Sequence, residues 1–244
     1  MKLLAEHTPR QRSLALMLLL ALLVGVGASA LAPLAQATQP TPVGATMVRV
    51  SDLPMGVEFG CSLGLTGTDA AGHVIVTTAR HCTSGRPGTP AYLDNQTSPS
   101  GRLVASSPMS KLDYAALRLR PGITLPLPAL VTAPPKLGSQ VCKAGRVTGL
   151  SCGPVIEVTA HTFTALVRVA WGDSGAVATD TAGAAVGTVS RGRGGSLPAD
   201  PLAAGATLAA SMSGVRPPLP TVFIRADAIA SDMAARIGFR PATR

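Results

Sequence analysis

His81, Asp113 and Ser174 are the residues of this chain whose types and surroundings best suit acyl transfer through a serine nucleophile. Ser174 lies in Trp171-Gly-Asp-Ser-Gly-Ala176. Glycines on both sides let the backbone turn sharply, present the hydroxyl and swing the N–H groups of Gly172 and Ser174 to one side, where they could stabilise a tetrahedral oxyanion. Gly, Asp and Ser are also ordinary turn residues, so the segment alone reads equally as a bare turn. It is not a G-x-S-x-G elbow, because Gly175 follows Ser174 directly and no βαβ pattern surrounds it. Beyond the first 37 residues the candidate bases are His73, His81 and His161. His73 falls at a hairpin edge and His161 in a polar stretch, both places that face solvent. His81 ends a β-rich run, VIVTTARHC, and Cys82 follows it, so a disulfide there would fix the backbone beside the ring. Asp113 is a carboxylate inside an apolar run, LDYAALRL. Burying it costs several kcal/mol unless it is paired, and accepting from an imidazole N–H supplies that pairing.

The elements that must position these residues are short strands. GVEFGCSLGL and GHVIVTTA flank the turn TGTDAAG as a hairpin, and SQVCKAG and GPVIEV flank RVTGLSC as another. DYAALRL, ALVRVAW and AAVGTVS are further strand candidates. With 26 Gly and 21 Pro and no βαβ rhythm, the chain predicts an all-β fold. Residues 193–220 are Gly/Ala/Pro-rich without a period and read as a long surface loop. Ala226, Ile229, Ala230, Met233, Ala234 and Ile237 recur at helical spacing, with Asp227 early and Arg236 late, so a helix is expected over about 225–238.

Hydrophobic residues make up 46% and charged ones 14%, which excludes intrinsic disorder. Part of that hydrophobicity is a targeting signal. Lys2, Arg10 and Arg12 precede an apolar run from Leu14 to about Leu34, which closes with Ala35-Gln36-Ala37. Residues 1–37 thus read as a secretory signal peptide cleaved after Ala37, with a membrane anchor as the rival, and 38–46 as a short tail. The protein is expected outside the cytoplasm. Removing residues 1–37 takes away three basic groups and Glu6 and lowers the formal charge from +9 to +7. The cations are scattered with no Lys/Arg run and no aromatic interleaving, so they read as solvated charge with some affinity for acidic surfaces, and no nucleic-acid partner is expected. Cys61, Cys82, Cys142 and Cys152 are an even set in an oxidising compartment and read as disulfides. Three pairings are possible, of which neighbour pairing is the simplest. No Cys-x-x-Cys spacing or phosphate-cradling loop occurs, so neither a metal nor a cofactor is expected.

Together the segments resemble the chymotrypsin-family serine peptidases. TTARHC resembles their Thr-Ala-x-His-Cys block, LDYAALRL their Asp-containing strand and GDSGA their Gly-Asp-Ser-Gly-Gly, in the order His, Asp, Ser. VCKAGRVTGLSCGPV resembles the two-cysteine hairpin of the bacterial streptogrisins and α-lytic protease. The resemblance covers about residues 47–237. It implies one peptidase domain over 47–244, built as two six-stranded antiparallel Greek-key β-barrels of roughly 47–125 and 126–225, with the C-terminal helix. His81 and Asp113 then come from the first barrel and Ser174 from the second, with disulfides 61–82 and 142–152. In the chain-entropy account a closed loop of about twenty residues is worth about 3 kcal/mol. The implied activity is hydrolysis of peptide or protein substrates by a secreted monomer with no stable membrane insertion after cleavage.

The chain departs from the pattern in places. Ala176 replaces a second glycine, and Arg80 a residue that is commonly small. No Ile-Val-Gly-Gly start exists, so Asp173 needs an internal cation; Lys143 and Arg146 are candidates, and the family pattern selects Lys143. The approach to Ser174 is shortened. Counting back six residues reaches Arg168, which the resemblance puts at the primary specificity position if the loop length is kept; an inward side chain there would select acidic groups and an outward one leave a small apolar pocket. VGTVSRG resembles the strand that pairs with substrate backbone, which gives Ser190, Arg191 and Gly192 a binding role by strand addition. The alternatives are a non-catalytic exported binding protein on the same fold, an esterase, and a structural envelope protein that keeps residues 1–37 attached. Asn95-Gln96-Thr97 forms a glycosylation sequon.

Overall fold

In the computed structural model of the chain, Phe163 and Phe223 stack in the middle of the C-terminal half, their ring centroids 4.8 Å apart and their planes nearly parallel. They face each other across a register pair of a closed six-stranded antiparallel barrel. The structure describes residues 47–50, 60–94, 96–108, 110–123, 125, 134–192 and 218–242. The signal segment 1–37, the tail 38–46, residues 193–217 of the expected loop, and Asn95 lie outside them.

The barrel runs in the order β10-β13-β12-β11-β8-β9. Its strands are β8 (Gln140–Gly145), β9 (Gly149–Val158), β10 (Thr162–Val167), β11 (Val177–Thr179), β12 (Ala185–Gly192) and β13 (Leu219–Arg225). β13 begins at Leu219, inside the segment read as loop. Val141, Val155, Ala165, Val167, Ala178, Val186 and Val189 fill the interior around the two rings. The strands approach closely at Gly153 of β9, where a methyl would collide with the Leu166 carbonyl oxygen of β10.

The N-terminal half is a second antiparallel sheet in the order β14-β3-β4-β7-β6-β5-β1-β2. Its strands are β1 (Met47–Val50), β2 (Cys61–Ser62), β3 (Thr66–Thr68), β4 (Val74–Ala79), β5 (Pro90–Leu93), β6 (Gly101–Ser106), β7 (Tyr114–Leu119) and β14 (Arg240–Pro241). The apolar run after Asp113 has a direct explanation, because β7 is covered on both faces. Ala115, Leu117 and Leu119 enter the interior of this sheet with Val76, Leu93 and Leu103. Tyr114 and Ala116 enter a different cluster, with Ile75 of β4, Val177 and Ile224 of the barrel, and Ile229, Met233 and Phe239.

Those last residues belong to helix α1 (Ala226–Ile237) and the turn after it. The apolar spacing places Ala226, Ile229 and Met233 on one buried face, and Asp227 and Arg236 complement the helix dipole at either end. Gly238 ends the helix in a left-handed conformation at φ 62°, with its N–H returning to the Ala234 carbonyl. The chain then enters β14 and pairs with β3, Arg240 opposite Thr68 and Pro241 opposite Gly67. The C-terminal strand therefore completes the edge of the N-terminal sheet, a pairing that the sequence did not announce.

Candidate active site

β4 delivers His81. The strand ends at Ala79 and tightens into a single 3₁₀ turn, Arg80–Cys82, closed by the Thr83 N–H on the Arg80 carbonyl. Cys82 is joined to Cys61 of β2, and Cys142 to Cys152 across β8 and β9, as the resemblance implied. The disulfide thus pins the residue after His81 to the neighbouring strand. Arg80 folds back onto the following loop, donating to the Thr83 and Ser84 carbonyls at 2.7 and 2.8 Å. Its charge is spent on local closure.

Asp113 sits just before β7, not within it, and its backbone takes a left-handed conformation at φ 38°. Asp tolerates that region better than most residues, and such outliers concentrate where a side chain must be aimed. Its carboxylate is buried at 3% exposure and receives three donors. The His81 N–H reaches Oδ1 at 3.1 Å, His81 Nδ1 reaches Oδ2 at 2.9 Å, and the Ser190 hydroxyl reaches Oδ2 at 2.6 Å. With Nδ1 turned to Asp113, His81 Nε2 has no hydrogen-bond partner among the described residues, an arrangement that suits a base.

Ser174 is carried by the turn between β10 and β11. Gly172 and Gly175 flank it with φ of 99° and 88°, values that residues with a Cβ rarely adopt. Asp173, Gly175 and Ala176 donate their N–H groups to Ala170, Val189 and Asp173 carbonyls. The N–H groups of Gly172 and Ser174 have no acceptor among the described residues, and neither has the Ser174 hydroxyl. Two free donors beside an uncommitted hydroxyl are what an oxyanion hole and its nucleophile require. The turn abuts β4: a methyl on Gly175 would lie 2.7 Å from Thr78 Oγ1 and 2.9 Å from the Ala79 nitrogen. Ala176 is fully buried, and its methyl joins the barrel core.

Asp173 and Lys143 form an ion pair at 3.0 Å with both side chains fully buried. Burial alone would raise the Asp173 carboxyl. Hydrogen bonds from the Thr148 hydroxyl and the Val147 N–H, with the Lys143 cation, outweigh it and hold the group below the ordinary carboxylate range. The Thr148 and Ala170 N–H groups also donate to it, at 3.2 and 3.0 Å. Asp173 therefore ties the β8–β9 hairpin to the serine turn. Arg146, the other candidate cation, stays exposed.

Two roles emerge only from the structure. Ser190 was expected to serve substrate backbone; its side chain instead supports Asp113, 77 residues away in sequence. Its strand is compatible with the backbone role, because β11 pairs β12 only as far as Thr188 and the same edge of Ser190, Arg191 and Gly192 has no paired strand among the described residues. Ser62 carried no sequence signal at all. It is fully buried and joins three elements: its hydroxyl donates to the Gly172 carbonyl at 2.9 Å, its N–H to the Ser174 carbonyl at 2.8 Å, and its carbonyl accepts from Thr78 Oγ1 at 2.9 Å. Arg168 is exposed and points outward, with only a 3.4 Å contact to the Leu150 carbonyl. His73 turns to Asp69 at 3.1 Å, and His161 is exposed; neither joins the site.

Three buried or half-buried carboxyls, Asp69, Asp173 and Asp232, titrate lower in the fold than in a free chain. In each, burial opposes the shift and donors outweigh it: the His73 backbone and ring with Arg118 for Asp69, and the Tyr114 hydroxyl with Arg236 for Asp232. The unfolded chain, with Asp near 3.9, therefore takes up protons first as the pH falls. Their stabilisation is complete above about pH 4 and is lost below it as the folded groups protonate. Thermal melts should show Tm falling steeply below about pH 4; a Tm constant down to pH 2 would contradict these assignments.

No family model matches the chain, and no curated protein matches it. Among solved structures, it resembles protease A of Thermobifida fusca with a TM-score of 0.60, at 19% identity over 83% of this chain and 98% of that one. A Nocardiopsis protease aligns with a TM-score of 0.56, at 22% identity over 83% and 99%. The active form of Rv3671c protease from M. tuberculosis aligns with a TM-score of 0.57, at 18% identity over 86% of each. Likeness at these identities speaks for the fold, which is chymotrypsin-like.

Proposed function

We propose that the chain is a secreted serine endopeptidase of the streptogrisin and α-lytic protease type. The observation that carries this reading is the chain of hydrogen bonds from Ser190 through Asp113 to His81, beside a serine turn with two unclaimed N–H donors. His81 Nε2 takes the Ser174 proton as Oγ attacks the scissile carbonyl carbon, and the oxyanion moves onto the Gly172 and Ser174 N–H groups. The C–N bond then breaks, His81 passes its proton to the leaving amine, and the acyl group remains on Ser174. Water, deprotonated by the same ring, releases the acid. Asp113 keeps the Nδ1 proton in place and stabilises the imidazolium. The open edge of Ser190–Gly192 receives the acyl side of the substrate as an added strand. Outward Arg168 leaves the primary pocket apolar, so the expected preference there is for small apolar side chains. Export is supported by the sequence of residues 1–37 and by two disulfides, which suit an oxidising compartment.

A fluorophosphonate should label the folded protein once, on Ser174, and prior unfolding should abolish the labelling. A folded protein that takes no label would refute the assignment.

A further inference from the structure

The serine turn has an exposed neighbour that the mechanism leaves unused. A methyl on Gly172 would lie 2.8 Å from Val147 Cγ2, 3.2 Å from the Gly60 carbonyl oxygen and 3.5 Å from Arg146 Nη1. Arg146 and Val147 form the tip of the β8–β9 hairpin, and both are exposed. Their backbone is nevertheless fixed by buried groups. The Arg146 N–H donates to Ser62 Oγ at 3.0 Å and the Val147 N–H to Asp173 Oδ1 at 2.8 Å. Because the same Ser62 hydroxyl holds the Gly172 carbonyl, Arg146 and the oxyanion donor share one rigid frame.

The Arg146 guanidinium has no ion pair and no hydrogen bond among the described residues. Trp171, which precedes Gly172 in the chain, is 90% exposed, and Val147 is 45% exposed. A guanidinium without a partner among the described residues suits a carboxylate: its fork matches the two oxygens, and the pair, exposed to solvent, is sensitive to salt. Its position also defines which part of a substrate it meets. Ser190, where the acyl side adds, lies at the Asp113 end of the triad. Arg146 lies at the opposite end, beyond Gly172, with Gly60 and the Cys61–Ser62 strand. We propose that Arg146, backed by Val147 and Trp171, forms a leaving-group-side subsite that takes an acidic side chain within the first two residues after the scissile bond. This rests on the peptidase reading above.

The test compares quenched fluorescent peptides with identical acyl sides and Glu, Gln or Lys at the first two leaving-side positions. The ratio of kcat/KM within each protein is the readout, so changes in overall activity cancel. Wild type should favour Glu over Gln by about fivefold at low salt, the preference shrinking as salt screens the pair. In Arg146→Gln the ratio should fall to about one, and in Arg146→Glu the Lys peptide should become the best of the three. Arg102→Gln, an exposed arginine on β6, should keep the preference and so control for net charge. Wild type that takes the fluorophosphonate label yet shows no Glu preference, or Arg146→Gln that retains it, would overturn the subsite alone. Wild type that takes no label overturns the peptidase reading and the subsite with it.

Discussion

Ser174→Ala is expected to lower kcat on a cleavable peptide by about 10⁶-fold, the loss seen when a triad nucleophile is removed elsewhere. The structure also says what should not change. The Ser174 hydroxyl has no hydrogen-bond partner among the described residues, so its removal leaves no buried group unpaired. Stability should therefore stay within about 0.5 kcal/mol of wild type. Measuring kcat and the thermal midpoint on the same preparation separates a lost nucleophile from a damaged fold. Full peptidase activity in the variant would remove Ser174 from the mechanism.

Lys143→Met should cost about 3 kcal/mol, the lower end of the range for stripping one partner from a buried ion pair. The lower end applies because Asp173 keeps its donors from Val147, Thr148 and Ala170 when the cation is gone. For a domain of this size that is a fall in Tm of roughly 6–12 °C. Activity should fall as well, since Asp173 fixes the turn that carries both oxyanion donors. Pairing Lys143→Met with Asp173→Asn should recover part of the loss, because neither member of the pair is then left as an uncompensated buried charge; a double variant that loses the sum of the two would argue against coupling.

The residues of the candidate site were legible where they lie in short local signals. Ser174 was marked by glycines that the turn does require, His81 by the strand and cysteine around it, and Asp113 by a charge in an apolar run. The run itself misled in one respect, since Asp113 precedes β7 in a left-handed bend. What sequence could not show were the supports contributed from far along the chain. Ser190 and Ser62 are ordinary serines in apolar strands, and only the closure of one sheet against the other brings them to Asp113 and Gly172. Helix α1 was readable from its spacing, whereas β14 is two residues long and carries no period.

The attachment of α1 and β14 to the N-terminal sheet also bears on timing. Ile229, Met233 and Phe239 complete a cluster that includes Ile75 and Tyr114, from the strands that carry His81 and Asp113. During synthesis those strands leave the ribosome first, yet part of their packing arrives last. The early-made strands that carry His81 and Asp113 therefore reach their final packing only after Ile229, Met233 and Phe239 have been added, so the candidate site settles late in the order of assembly.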